Sequence, residues 1–292
     1  MTNYDAKYAE YLTYFNNCLD KRLLTLDKTT SSIITDAMIY AVAGGGKRVR
    51  PVLCFAVADM LGISLKEVEV YALAIEMIHS YSLVHDDLPA MDNDDYRRGK
   101  LSTHKKFGEA NGILAGDALL NYAFETCLSK DNISSFDVNA MRVLFDYSGY
   151  NGMIAGQVLD LEGEKTTDKT ETLLTNIYLN KTSKLLTAPM LASSCLADKK
   201  YFNQLKEFGY ALGLMFQITD DIMDVEGTLE SIGKTPHKDE NTNKLTSISI
   251  YGLEGAKQKA KELYTTCKNI LSSIENSEFL SIFTDKLYLR KK

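Results

Sequence analysis

Apolar residues recur at three- and four-residue spacing along most of this chain, in runs too long for strands. PVLCFAVADMLG (51–62), VEVYALAIEMIHSYSLVHDD (68–87), GILAGDALLNYAFETCLS (112–129) and QLKEFGYALGLMFQITDDIMD (204–224) all hold this helical period. No hairpin signal separates two alternating segments, so the pattern predicts an all-α protein. Several runs are apolar nearly all round, which places them centrally in a bundle. Pro51 suits the first turn of a helix that follows GGGKRVR (44–50). Polar segments near 129–137 and 162–170 read as connections. The longest polar stretch is GTLESIGKTPHKDENTNKLT (227–246), and loops of such length in compact domains are often functional. With no linker, low-complexity tract or short repeat, residues 1–292 are expected to form a single domain.

Composition narrows the function classes. Hydrophobic residues make up 45% and charged residues 25%, enough to bury a sizeable core. A net charge of −6 disfavours a general nucleic-acid binder, though a local basic pocket for a small anion fits within it. The five cysteines are scattered, with no CxxC, so neither a zinc site nor a disulfide framework is expected. They read as thiols of a reducing cytosol. The first residues lack the basic start and apolar run of a signal peptide. No apolar run approaches the ~20 residues that cross a bilayer. A cytoplasmic protein without stable membrane insertion is the expectation.

The candidate chemistry lies in two acidic runs. DDIMD puts Asp220 and Asp224 at i and i+4 on one helix face, with Asp221 between them. The preceding ALGLMFQIT reads as buried, so these acids stand at the end of a core helix. Buried carboxylates without cations are costly. Magnesium accepts such hard oxygens, keeps several waters and bridges to substrate phosphates. Judged alone, the motif reads equally well as an exposed helix end. In HDDLPAMD, Asp86 and Asp92 would face different ways on a straight helix. Pro89 cannot continue a helix interior and restricts Leu88, so the chain can bend after Asp87 and return Asp92 toward Asp86. Two such clusters, each ending a long apolar helix, are a sharper signal together than apart.

Cations stand near both clusters. Arg97 and Arg98 follow the first. Lys47 and Arg50 precede a helix start, where backbone N–H groups favour anions. Lys181 and Thr182 lie in YLNKTSKLL, and Lys234, Lys238 and Lys244 in the long polar stretch. Taken singly, each is more often a solvated surface charge; together with the acids they point to magnesium plus diphosphate. His79 on its apolar helix reads as either a core histidine or a ligand, His85 as structural, and the four histidines form no triad pattern.

These motifs resemble the trans-type short-chain prenyl diphosphate synthases, most closely the bacterial farnesyl branch. GGGKRVRP is similar to that family's GGKRxRP. IHSYSLVHDDLPAMDNDDYRRGK is similar to its first Asp-rich motif, including the two-residue insertion Pro89-Ala90. HKKFGEANGILAGDALL, GMIAGQVLDL, YLNKTSKLL and GLMFQITDDIMDVEG follow in the family's order, the last being its second Asp-rich motif. The resemblance implies an all-α barrel of about ten or more helices around a deep central cavity, usually a homodimer. It implies Asp86, Asp92 and Asp220 as ligands of about three Mg2+ ions bridged by the allylic diphosphate, with Asp87, Asp224 and, less firmly, Asp221 in support. Arg97, Lys181 and Lys234 would contact the allylic diphosphate, with Lys244 at the expected spacing beyond. Lys47, Arg50, His79 and Arg98 would hold isopentenyl diphosphate. Thr182 and Gln217 would neighbour the allylic cation, and Gln157 would partner the second motif. The implied reaction is 1′-4 condensation of isopentenyl diphosphate with dimethylallyl or geranyl diphosphate to farnesyl diphosphate. Tyr81, five residues before Asp86, would be the floor that stops chain growth.

Some positions depart from the family pattern. His237 stands where glycine is usual after the second motif, KLTSISI replaces KxTYP, and Leu101 replaces a common proline. The departure at His237 bears on closure of the loop over substrate. A geranyl or geranylgeranyl diphosphate synthase is the alternative product assignment. A class I terpene cyclase and a non-catalytic subunit of a heteromeric synthase are further alternatives, disfavoured because both aspartate sets and the basic pocket are kept.

Overall fold

The structure is a computed structural model that describes residues 3–226 and 244–290. The expectations for Lys234, Lys238 and His237 lie outside those residues. Among the described residues the chain is helical almost throughout, in agreement with the all-α expectation. It divides into two compact units, 1–141 and 142–292, the division falling inside one helix, α7 (Ser135–Ser148).

The first unit contains α1 (Asn3–Leu23), α2 (Ser32–Ala43), α3 (Val49–Met60), α4 (Leu65–Asp86), the short α5 (Thr103–Phe107) and α6 (Glu109–Leu128). Helix α4 packs against α1, α2, α3 and α6. Its buried positions run through Tyr71, Ala72, Leu73, Ala74, Ile75, Glu76, Met77 and Ile78, so it has no polar face over that length. This is why its sequence shows apolar residues all round rather than a stripe. One element departs from pure helix. Tyr96–Arg97 (β1) and Lys100–Leu101 (β2) pair antiparallel, with Arg97 opposite Lys100. The two residues between them, Arg98 and Gly99, have φ of 53° and 76°. Positive φ at both central positions is the turn geometry that matches the strand twist. The cue is Arg-Gly, weaker than the Asn-Gly signal a sequence reading searches for.

The second unit carries α8 (Met153–Lys165), α9 (Glu171–Tyr178), α10 (Lys184–Leu196), α11 (Phe202–Glu226), α12 (Ser247–Leu271) and α13 (Glu278–Tyr288). Helix α8 therefore extends to Lys165, past the start of the connection expected at 162. Leu174, Ile177, Tyr178, Ile218, Leu245, Ala256 and Ala260 form a core cluster that joins α9, α11 and α12. Between α9 and α10 a π-helical turn spans Leu179–Ser183, a feature frequent at functional sites. Gly156 on α8 admits this turn: a Cβ there would lie 2.1 Å from the backbone nitrogen of Lys181. Pro189 sits inside α10 rather than at a boundary. Its neighbours Leu185 to Cys195 are all buried, so packing offsets the lost backbone bond. Helix α12 begins with a reciprocal cap, in which Thr246 Oγ1 accepts from the Ser249 N–H at 3.2 Å and Ser249 Oγ accepts from the Thr246 N–H at 3.1 Å.

Candidate active site

In the first unit α4 ends at Asp86, and the following residues fold back on its last turn. The Asp92 N–H donates to the Asp86 carbonyl at 2.8 Å, and the Met91 and Asn93 N–H groups both reach the Leu88 carbonyl. The bend expected from Pro89 is thus closed by backbone bonds, and it brings Asp92 beside Asp86. Asp86 is half-buried and Asp92 exposed. Asp87, between them in the motif, is buried at 2% exposure. Its Oδ1 accepts from Arg97 Nε at 2.9 Å and also pairs with Arg97 Nη2. Burial pushes the Asp87 carboxyl up from its ordinary value, with Arg97 opposing. Asp87 therefore serves to fix Arg97 on the hairpin, while Asp86 and Asp92 are the acids that face outward.

The basic residues of this unit converge around one buried acid. Arg48, in a left-handed backbone conformation, donates to Glu76 Oε1 at 2.6 Å and to the Val42 carbonyl at 2.8 Å. Both side chains of this pair are nearly sealed from solvent. The pair pins the loop that presents Lys47 and the start of α3, which carries Arg50, and Tyr8 adds a bond to the Lys47 carbonyl at 2.6 Å. Burial pulls the Arg50 guanidinium down to about 10, with Glu76 opposing and Arg98 reinforcing. It stays charged at neutral pH, and its buried Nε has no partner. His79 lies among Arg50, Arg98, Arg97 and Arg48, and burial followed by these charges holds its pKa well below the ordinary histidine value. Arg98 itself pairs with the Gly45 carbonyl. Arg48, Arg50 and Arg98 share the one carboxylate of Glu76, which leaves uncompensated positive charge, the field an anion would neutralise.

Tyr81 is buried on α4 with its ring edge-on to His85 at 5.8 Å. Its hydroxyl has no hydrogen-bond partner, and burial, with Asp86 adding, pushes it up to about 12.

In the second unit the acids divide in the same way. Asp220 and Asp224 are half-buried, whereas Asp221 is buried at 5% exposure. Asp221 accepts from the Ser247 N–H and Ser247 Oγ at 2.7 Å each, from the Tyr178 hydroxyl, and from Gln217 Nε2 at 3.3 Å. Gln217 in turn accepts from Thr182 Oγ1 at 3.1 Å. Thr182 and Lys181 project from the π turn. Lys181 Nζ lies 2.6 Å from the buried Asp160 of α8, and Lys244 Nζ lies 3.8 Å from the same carboxylate. Asp220 pairs with Arg290, beyond α13. Gln157 is half-buried on α8 and makes no hydrogen bond to the three acids among the described residues. Arg48, Glu76, Asp160, Tyr178, Ser247 and Arg290 are the site residues that sequence reasoning passed over. For Glu76 a signal existed, as a lone acid in an apolar helical run.

Magnesium fits this donor set. Among the described residues no three acidic, histidine or cysteine side chains gather into a cage. Magnesium does not ask for one, since it takes one or two carboxylates and completes its shell with water and substrate phosphate. Asp86 with Asp92, and Asp220 with Asp224 on one helix face, supply such partial shells.

The polyprenyl synthetase family profile matches residues 31–280. A farnesyl diphosphate synthase of Micrococcus luteus is 43% identical over 265 residues, covering 89% of this chain and 90% of that one. A farnesyl diphosphate synthase of Geobacillus stearothermophilus is 46% identical over 230 residues, covering 76% of each. The crystal structure of a geranyltransferase from Helicobacter pylori, complexed with magnesium and isoprenyl diphosphate, superposes with a TM-score of 0.85 at 33% identity, covering 98% of this chain and 97% of that one. The chain belongs to the polyprenyl synthetase family.

The depressed His79 pKa has a consequence for stability. The unfolded chain takes up a proton below about pH 6.5 that the native protein refuses, so stability rises with pH across that range and falls as pH is lowered. Thermal unfolding followed from pH 7.5 down to about pH 5 should show a shallower loss of Tm in His79→Gln than in the parent chain. Equal slopes would show that His79 titrates normally.

Proposed function

We propose that this protein is a farnesyl diphosphate synthase, which joins isopentenyl diphosphate to dimethylallyl and then geranyl diphosphate. The observation that carries the reading is the repeated division of each Asp-Asp pair. One acid is buried against protein donors, and the other lies nearer the surface beside a second acid that is not buried. Bound magnesium would act as a Lewis acid on the leaving diphosphate. Asp86, Asp92 and Asp220 are its proposed ligands, with Asp224 in support. Asp87 and Asp221 position their neighbours.

Arg97, Lys181 and Lys244, with Lys234, hold the allylic diphosphate and meet the charge that develops as its C–O bond breaks. Fixed cations act most strongly where water is excluded. Asp160 holds Lys181 in place through their ion pair. Thr182 and Gln217 place oxygen dipoles where the allylic cation forms. Lys47, Arg50, His79 and Arg98 hold isopentenyl diphosphate, whose double bond attacks that cation. The proton lost afterwards passes to the released diphosphate.

Tyr81 sets the product length. Its hydroxyl is unbonded in the interior, which costs free energy, so bulk rather than hydrogen bonding is what the position uses. Relatives that make longer chains exist, among them a geranylgeranyl diphosphate synthase of Cyanophora paradoxa at 38% identity, and the product assay separates the two assignments. The chain is proposed to act in the cytosol, where its free cysteines would stay reduced. No described helix is long and apolar enough to cross a membrane. It is proposed to be a homodimer through α6, on which Ile113, Leu114, Phe124 and Leu128 stand exposed.

Purified protein with magnesium should consume isopentenyl diphosphate and give a fifteen-carbon product. Tyr81→Phe should keep that product and Tyr81→Ala should lengthen it. Unchanged length in Tyr81→Ala removes the floor assignment, and no turnover with any allylic primer removes the enzyme reading. Sedimentation should give twice the mass of one chain, and Leu114→Glu should lower it; a monomeric parent protein contradicts the dimer.

A further inference from the structure

Arg290 is the one guanidinium that reaches an outward acid of the second motif among the described residues. It lies just past the end of α13 and pairs with Asp220 Oδ1. The same Nη2 donates to the Phe216 carbonyl at 3.0 Å, and the guanidinium lies 4.2 Å from the centre of the Phe216 ring. Phe216 and Asp220 are i and i+4 on α11, so Arg290 binds one face of this helix through a charge, a carbonyl and a ring. Its side chain is 15% exposed, its Nε is buried without a partner, and burial lowers its pKa, with Asp220 opposing. An arginine so desolvated still cannot give up its proton at neutral pH. It is a fixed positive charge on a proposed metal ligand.

We infer that Arg290 is a placeholder cation for Asp220, and that metal and guanidinium compete for the same carboxylate. The inference rests on the proposed role of Asp220. Asp220, Asp221 and Asp224 crowd negative charge at the end of α11. Asp221 is answered by Tyr178, Ser247 and Gln217; Arg290 answers Asp220 until a divalent ion enters. Asp220 Oδ1 would then hold the ion in place of Arg290 Nη2, and Arg290 would be released from Asp220. Because coupling is reciprocal, Arg290 weakens metal binding by as much as the metal weakens the ion pair. Arg290 is thus a positioning residue that sets the metal threshold.

The test is a Mn2+ titration of the purified full chain in the presence of inorganic diphosphate, read by electron paramagnetic resonance as bound against free ion. Arg290→Ala should bind Mn2+ about fivefold more tightly than the parent, the weight of one half-buried ion pair. Arg290→Lys, which keeps the charge but loses the fork and the ring contact, should fall between the two. In an Asp220→Asn background, Arg290→Ala should leave the remaining affinity unchanged. Equal or weaker Mn2+ binding by Arg290→Ala overturns the inference. If the parent chain binds no Mn2+ with diphosphate, the metal reading of Asp220 fails instead. If it binds and Arg290→Ala does not differ, only the placeholder role fails.

Discussion

The Asp221 carboxylate is buried in the second unit, and burial of a charge is tolerated only when donors surround it. Those donors come from three separate places. Tyr178 ends α9, Gln217 lies one turn earlier on α11, and Ser247 opens α12. A single side chain therefore fixes where α12 starts, where the π turn begins and how Gln217 is oriented. Gln217 passes that order to Thr182. Leaving such a buried group without its hydrogen-bond donors costs about 1–3 kcal/mol, and more when it is charged.

The same device recurs in the other acidic groups. Asp87 fixes Arg97, Glu76 fixes Arg48, and Asp160 fixes Lys181. In each case a buried carboxylate immobilises a polar or cationic group, or the loop that presents one. On the proposed reading Asp86, Asp92 and Asp220, less buried than their neighbours, are the acids offered to an ion, and Asp220 meanwhile pairs with Arg290. Doubling the aspartate then has a physical reason: one carboxylate cannot at once be saturated by protein donors and offered to an ion.

The all-α architecture was legible because the apolar period is long and uninterrupted in α4, α6 and α11, where packing and local propensity agree. The fold-back after Asp86 was legible because Pro89 leaves the chain few options. The Arg98-Gly99 hairpin was not, because its turn cue is weaker and its strands are two residues each. Pro189 inside α10 misleads for the opposite reason, since the surrounding packing outweighs a rule that is local. Within the site, spacing located the acids and cations and put Asp220 and Asp224 on one helix face, but it could not show that Asp221 is the buried acid. That difference depends on Ser247 and Tyr178, which are 26 and 43 positions away. Arg290 was invisible on the same ground, because its partner lies 70 positions earlier.

The division of labour within each Asp-Asp pair is tested most directly by the magnesium dependence of turnover in Asp220→Asn and Asp221→Asn. Asp220→Asn should raise the magnesium concentration for half-maximal rate by about tenfold or more, the loss of one charged ligand. Asp221→Asn should leave that concentration near the parent value while lowering Tm and the maximal rate. A rise in the magnesium requirement of Asp221→Asn as large as that of Asp220→Asn would contradict the division.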